Sequence, residues 1–325
     1  MNEILLDVRG LTVTFRTAGS SVMILDDLSF SVGLGEILGF AGESGSGKTM
    51  AAMALMGLLP HGAIPTGSVI FDGEELLTGR RIGRARGREI AMVFQDPTAS
   101  LHPMLTIEYQ LTEHVRHHLR FDQAQARQRA IDLLEEVRIP APAKTLASFP
   151  HQLSGGMRQR VAIAMALACH PKLLIADEPT TALDVTVQAG ILRLLDDVRR
   201  DRMLSILMIS HDLAVLSALA DKVAVIYSGR LAELGPIADV LIRPRHPYTQ
   251  ALLKSLPRGI EAVDSPLVAI AGSAPAPSRR PSGCAFHPRC AYALEACTQS
   301  VPVAVDVDGR RRLACPPDPL AVHDE

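Results

Sequence analysis

Hydrophobic residues along this chain change their spacing from segment to segment, and each change marks an element. Leu11-Thr12-Val13-Thr14-Phe15 and Leu28-Ser29-Phe30-Ser31-Val32 alternate apolar and polar positions on either side of the Gly19-Ser20-Ser21 turn. That period of two predicts a small antiparallel sheet, with Val69-Ile70-Phe71-Asp72-Gly73 as a further edge strand and turn. Other runs are apolar throughout: Ile37-Leu38-Gly39-Phe40-Ala41, Ile90-Ala91-Met92-Val93-Phe94, Leu173-Leu174-Ile175-Ala176 and Ile206-Leu207-Met208-Ile209. These read as strands, the Leu173 run as a parallel one covered on both faces. Residues 105–137 instead repeat at helical spacing and are rich in Glu, Gln, Ala and Arg, which predicts a helical insertion in an otherwise α/β chain. Val161 to Ala168 reads as a helix, another follows Asp184, and Val223 to Tyr227 with Leu231 to Leu234 reads as a closing hairpin across Ser228-Gly229-Arg230.

Candidate chemistry gathers where these elements end. Between the strand at Ile37 and the helix at Met50 lies Gly42-Glu43-Ser44-Gly45-Ser46-Gly47-Lys48-Thr49. Strand, glycine loop and helix in that order make a phosphate cradle, because loop amides and the positive end of the helix converge on one anion. Lys48 is expected to reach the β- and γ-phosphates and the Thr49 hydroxyl to hold Mg²⁺. Phe15 is the aromatic best placed to stack on a base, or else it packs in the core. A second helix start, Leu153-Ser154-Gly155-Gly156-Met157-Arg158-Gln159-Arg160, is either another anion site or a capping turn. The Leu173 strand stops on Asp177 and Glu178, at the carboxyl end where such sheets carry their sites. Asp177 is expected near the metal, and Glu178 beside the attacking water. Asp184 lies in the turn Thr181-Ala182-Leu183-Asp184, and His211 follows the strand that ends at Ser210.

Composition narrows the reading. The 325 residues are 47% hydrophobic and 21% charged, enough for two domains or one α/β domain with insertions. A net charge of −2 offers no global attraction to nucleic acid or anionic lipid. The basic run Arg80, Arg81, Arg84, Arg86 and Arg88 lacks aromatic partners and reads as a solvated face, as do His114, His117 and His118, which have no carboxylate or cysteine near them in sequence. The longest apolar run, Val161 to Cys169, is too short for a bilayer, and Met1-Asn2-Glu3-Ile4 begins no export signal. A cytoplasmic chain is therefore expected, with its five cysteines reduced. Cys169 reads as a small core residue. Cys284, Cys290, Cys297 and Cys315, spaced C-x5-C-x6-C-x17-C, fall in a Pro- and Ala-rich tail that cannot build a large core unaided. A shared metal would staple that tail, but the spacing is not the C-x2-C usual for structural zinc.

Together the motifs resemble an ABC-transporter ATP-binding cassette over roughly the first 240 residues: phosphate loop, Gln95 of a Q-loop, Leu153-Ser154-Gly155-Gly156-Met157 of a signature, Asp177 with Glu178, Asp184 of a D-loop and switch His211. Met157 departs from the commonest family form, which has Gln there. The resemblance implies an α/β P-loop NTPase with an N-terminal antiparallel β subdomain, a helical insertion at about 97–152 and, from 241 to 325, a loop-rich C-terminal extension. It also implies that Ser154, Gly155, Gly156 and Asp184 serve the nucleotide of a second ATPase subunit in a head-to-tail dimer. Gln95 then joins Thr49 and Asp177 at Mg²⁺, and His211 meets the γ-phosphate.

Arg245-His246-Pro247-Tyr248-Thr249, with Leu252-Leu253 and Ser255-Leu256-Pro257, looks like the extension of dipeptide/oligopeptide importer ATPases. Four cysteines in such a tail imply a [4Fe–4S] cluster, with zinc as the fallback. The expected partners are a second ATPase subunit, a sister chain in a heterodimer, two transmembrane permeases and, indirectly, an extracytoplasmic peptide-binding protein. Nucleic acid is not among them. The expected place is the cytoplasmic face of the membrane, as a peripheral subunit. Importers of nickel or other small solutes share this tail, whereas soluble cassette ATPases of translation or DNA repair usually carry two cassettes or long insertions, which this chain lacks.

Overall fold

The computed structural model describes residues 3–17, 20–78, 81–96, 100–181, 183–256 and 269–321, without the side chains of 17 and 20. Met1, Asn2, Gly19, Arg80, Pro97, Ala182 and Pro257 of the segments above lie outside the described residues. Strands run in chain order as β1 (Ile4–Thr17), β2 (Ser20–Gly33), β3 (Ile37–Ala41), β4 (Ala63–Phe71), β5 (Glu74–Glu75), β6 (Ile90–Val93), β7 (Leu173–Asp177), β8 (Ser205–Ile209), β9 (Lys222–Tyr227), β10 (Arg230–Pro236), β11 (Val305–Asp306) and β12 (Arg312–Leu313). The chain divides into two compact units, one of residues 6–31, 37–77 and 210–325, the other of 1–5, 32–36 and 78–209.

In the first unit an N-terminal sheet has the order β2-β1-β4-β5. β1 pairs antiparallel with β4 from Leu6↔Phe71 to Phe15↔Ala63, with a break in register between Arg9 and Thr12. The break flips the strand's buried face, since Leu6 and Val8 are buried before it and Leu11 and Val13 after it. β4 lies between β1 and β5, so the Val69 strand is interior and the short β5 takes the edge. β3 pairs parallel with β9, and β9 pairs antiparallel with β10. Ser228 and Gly229 both have positive φ, as a two-residue hairpin turn requires. This hairpin does not close its sheet: β12 pairs with β10 and β11 with β12. The unpaired backbone groups of β10 find partners in the tail.

In the second unit β6, β7 and β8 run parallel, with Ile90↔Leu173 and Leu173↔Ser205 in register. β7 and β8 are buried along their whole length. The predicted helical stretch is two helices, Ile107–Leu119 and Gln123–Glu136. Arg120 takes a left-handed C-cap conformation, and Asp122 opens the next helix through a capping box with Gln125. Helix Gly155–Leu167 starts six residues before the predicted Val161, because Ser154 caps it and the two glycines form its first turn. Arg81 is not a solvated member of the basic run, since its guanidinium makes two 2.7 Å bonds to Glu89. Nor is the histidine cluster an open face: His117 is exposed, but His114 and His118 are half-buried with ring centroids 4.7 Å apart. Burial first, and neighbouring histidines second, hold both below the ordinary histidine pKa. Cys169 is buried, which pushes its thiol up to about 11. No helix of the described residues is long and apolar enough to cross a membrane.

Candidate functional site

The glycine loop is built as its sequence requires. At Gly42 φ is +145°, and a Cβ there would sit 2.2 Å from the Ile226 carbonyl oxygen, so only glycine fits. Lys48 opens helix Lys48–Met56 and is itself buried. Its ammonium donates to the carbonyl oxygens of Gly42 at 2.7 Å and Glu43 at 3.0 Å, and to Ser46 Oγ at 3.4 Å. Ser44, Gly45 and Thr49 are exposed along the same loop, and Ser46 and Gly42 are buried beneath it. The result is a glycine loop folded onto the Lys48 cation at a helix N-terminus, a setting that can receive an anion. His211 is exposed and stands just before Asp212, which caps helix Leu213–Ser217. Phe15 is half-buried at the β1 end that pairs with Ala63.

The other unit holds the carboxylates. Asp177 ends β7 and is 5% exposed. Glu178 follows with φ +49°, a conformation disfavoured for an L residue and retained only where the surroundings fix it. Its amide donates to the Ile209 carbonyl at 2.9 Å. Its Oε2 accepts from Gln95 Nε2 at 2.8 Å and Thr181 Oγ1 at 2.9 Å. Sequence reasoning missed Thr181 as a partner of Glu178; its place three residues on, in the turn after β7, was the available signal. The same unit carries both helix starts singled out above. Ser154 Oγ accepts from the Met157 amide at 3.3 Å, and Asp184 caps helix Val185–Arg202 by accepting from Val187 at 2.9 Å. Their helices are in contact, since a Cβ on Gly156 would lie 2.7 Å from Val187 Cγ1. The phosphate loop, His211 and Phe15 thus belong to one unit, and Gln95, Asp177, Glu178, Ser154, Gly155, Gly156 and Asp184 to the other.

The tail brings its cysteines together. Cys284, Cys290, Cys297 and Cys315 all line one small cavity, with His246, Phe286 and Tyr292 among its other walls. Burial first, and the neighbouring sulfurs among the further causes, raise the thiol pKa values of Cys284 and Cys290 and push Cys315 up to about 12. Among the described residues no group of three or more His, Cys, Asp or Glu side chains is arranged to hold a metal ion.

Comparison with known proteins adds two family matches: the ABC transporter model over residues 25–181, and the oligopeptide/dipeptide transporter C-terminal region over residues 232–297. A putative peptide import ATP-binding protein of Brucella abortus is 47% identical over 316 residues, 96% of this chain and 95% of that one. The oligopeptide transport ATP-binding protein OppD of Escherichia coli is 45% identical over 96% of this chain and 93% of its own length. The dipeptide transport ATP-binding protein DppD of Haemophilus influenzae is 44% identical, over 96% and 94%. Among solved structures, the ATP-binding cassette MJ0796, described as dimeric and bound to ADP and Pi, matches with a TM-score of 0.63 at 26% identity, over 71% of this chain and 98% of that one. CbiO1 of Clostridium perfringens, part of an ABC transporter complex, matches with the same TM-score and identity, over 74% and 92%.

Proposed function

We propose a function from this premise: the chain belongs to the ABC transporter family, in its oligopeptide and dipeptide branch. It is the ATP-hydrolysing subunit that powers peptide import. The observation that carries the reading is the glycine loop with Lys48 laid across its carbonyl oxygens, in a chain that matches named peptide-transport ATP-binding proteins over nearly its whole length.

In this reading the loop amides of Ser44, Gly45, Ser46 and Gly47, in a loop whose start is shaped by Gly42 and whose end is Thr49, and the Lys48 ammonium take the phosphates, and Phe15 stacks on the base. Thr49, Gln95 and Asp177 would hold Mg²⁺, which supplies positive charge against the phosphate oxygens. Glu178 accepts a proton from the attacking water, its carboxylate fixed by Gln95 and Thr181, and His211 attends the γ-phosphate. There is little covalent work for the protein, so positioning and charge carry the rate. Ser154, Gly155, Gly156 and Asp184 serve the nucleotide of a second ATPase subunit, a sister chain; the dimeric cassette among the structural relatives supports this. Two membrane permeases, fed by an extracytoplasmic peptide-binding protein, complete the assembly and hold this subunit at the cytoplasmic face. Residues 1–240 form the cassette, with its helical part at about 97–152, and 241–325 form the extension.

Cys284, Cys290, Cys297 and Cys315 are the residues that would hold a [4Fe–4S] cluster, although their side chains are not arranged as a metal site in the described residues. They line one cavity, and burial among sulfurs keeps Cys284, Cys290 and Cys315 protonated unless a cation takes up their charge. Bound there, the cluster would staple a segment poor in core.

The test is coexpression with the two permeases and assay of peptide-stimulated phosphate release. Peptide-dependent turnover is expected; a chain that neither binds ATP nor retains permeases overturns the reading. Anaerobic purification should give iron and labile sulfide in equal amounts, lost in Cys284→Ser. Zinc in their place would refute the cluster.

A further inference from the structure

The tail reaches the phosphate loop through one residue. Glu43, the loop's second position, is held at three points. Its carboxylate takes both arms of Arg289, at 2.6 Å and 3.0 Å; its amide donates to the Tyr248 hydroxyl at 2.8 Å; its carbonyl accepts from Lys48. The Arg289 side chain is only 6% exposed. It also donates to the Tyr227 hydroxyl at 3.2 Å and the Ala271 carbonyl at 2.8 Å, and lies 5.8 Å from the Tyr227 ring centroid. Tyr248 is fully buried.

Planarity of the peptide unit gives this arrangement a consequence. The Gly42 carbonyl and the Glu43 amide belong to one rigid plane and point in opposite directions. Tyr248 fixes the amide, so it also fixes the direction of the Gly42 carbonyl, and that oxygen makes the shortest of the Lys48 bonds, at 2.7 Å. Arg289 fixes the same residue from its side chain. Arg289 itself ends the turn His287–Arg289, whose next residue is Cys290, and that turn begins with His287 donating to the Cys284 carbonyl. The residue that grips Glu43 therefore stands between two of the cysteines that line the cavity.

We propose that Arg289 and Tyr248 are positioning residues for nucleotide binding: through Glu43 they set the peptide plane on which Lys48 rests, and so tie phosphate affinity to the seating of the cysteine-bearing turn. The proposal rests on the ATP reading above. Mg-ATP affinity is to be measured by calorimetry on the wild type, Arg289→Met, Arg289→Lys, Tyr248→Phe, Glu43→Gln and the Glu43→Gln/Arg289→Met pair, with melting temperature alongside. Arg289→Met should bind ATP about tenfold more weakly. The pair should be no worse than the weaker single variant, because one contact is removed twice. Arg289→Lys, which keeps the charge without the two-point bond, should recover part of the loss. Where Arg289→Met fails to fold, Tyr248→Phe, which removes one hydroxyl and keeps the ring, decides. Wild-type affinity in the folded variants, with only a lowered melting temperature, makes the contact a staple for the tail and overturns the proposal alone. A wild-type chain that binds no ATP overturns the nucleotide reading as well.

Discussion

Two glycines of the phosphate loop separate steric exclusion from backbone strain. Gly42 and Gly45 both have positive φ, +145° and +78°. A Cβ on Gly42 would fall 2.2 Å from the Ile226 carbonyl oxygen and 3.0 Å from Ser46 Oγ, whereas one on Gly45 would meet nothing within 4 Å. Ile226 lies inside β9 and is fully buried, so its carbonyl cannot swing aside. Gly45→Ala then costs only the left-handed backbone, about 1–2 kcal/mol. Gly42→Ala adds overpacking to a conformation that only glycine adopts easily, about 3–5 kcal/mol in all. Urea unfolding with an unchanged slope gives both values from the shift in midpoint. Gly42→Ala should also lose ATP binding, because the carbonyl that takes Lys48 is its own. Equal destabilisation by the two substitutions, or a Gly42→Ala cost below about 1 kcal/mol, would refute the steric argument.

Other substitutions probe the carboxylate, the helix contact and the tail. Glu178→Gln retains an oxygen to accept from Gln95 and Thr181, so the fold and ATP binding should hold while phosphate release falls by about 10²–10⁴; undiminished turnover would remove Glu178 from its role. Gly156→Ala should destabilise by about 1–2 kcal/mol despite the better helix propensity of alanine, and Val187→Ala should restore the loss by vacating the contact at 2.7 Å. A more stable Gly156→Ala would mean that the helices do not touch there. His246 is buried, its Nδ1 accepts from the Tyr248 amide, and burial lowers its pKa from 6.5 to about 4. Above pH 6.5 both folded and unfolded states are neutral and the contribution is complete; below it the unfolded chain takes up a proton first, and about 1.4 kcal/mol is lost per pH unit until about pH 4. Chemical denaturation across that range should show the slope in the wild type and not in His246→Asn, and parallel curves would count against it.

The parts of the site legible in the sequence are those whose chemistry is local. A glycine loop, Ser154 and Asp184 as helix caps, and an apolar strand that stops on Asp177 and Glu178 each complete their signal within a few residues. What escaped the reading depends on distance along the chain or on one residue's backbone. The register break near Gly10 reverses which residues of β1 are buried, and no composition rule marks it. The start of helix Gly155–Leu167 was hidden because two glycines lower local propensity, although the cap at Ser154 outweighs them. Glu43 and Arg289 are 246 residues apart, and nothing near either one names the other.

The tail shows how such long-range pairs replace a core. Its composition buries little apolar surface on its own, and its described stretch 269–321 contains only short elements. Phe286 packs at 5.2 Å and 5.3 Å from the Tyr227 and Tyr248 rings, so the aromatic surface it covers belongs to β9 and to helix Pro247–Lys254. Its charges follow the same rule, apart from Asp308, which pairs with Arg311 inside the tail: Arg289 is answered by Glu43, Arg280 by Asp26, which also takes Arg230, Arg311 also by Glu233, and Asp318 by Arg245. Each of these partners lies outside 269–321, in a segment that carries the phosphate loop, the N-terminal sheet, β10 or the residues just before helix Pro247–Lys254. A tail held this way cannot be ordered before its partners are. Mutations that loosen it should therefore act first on the loop it grips, through Glu43, and only afterwards on the stability of the chain as a whole.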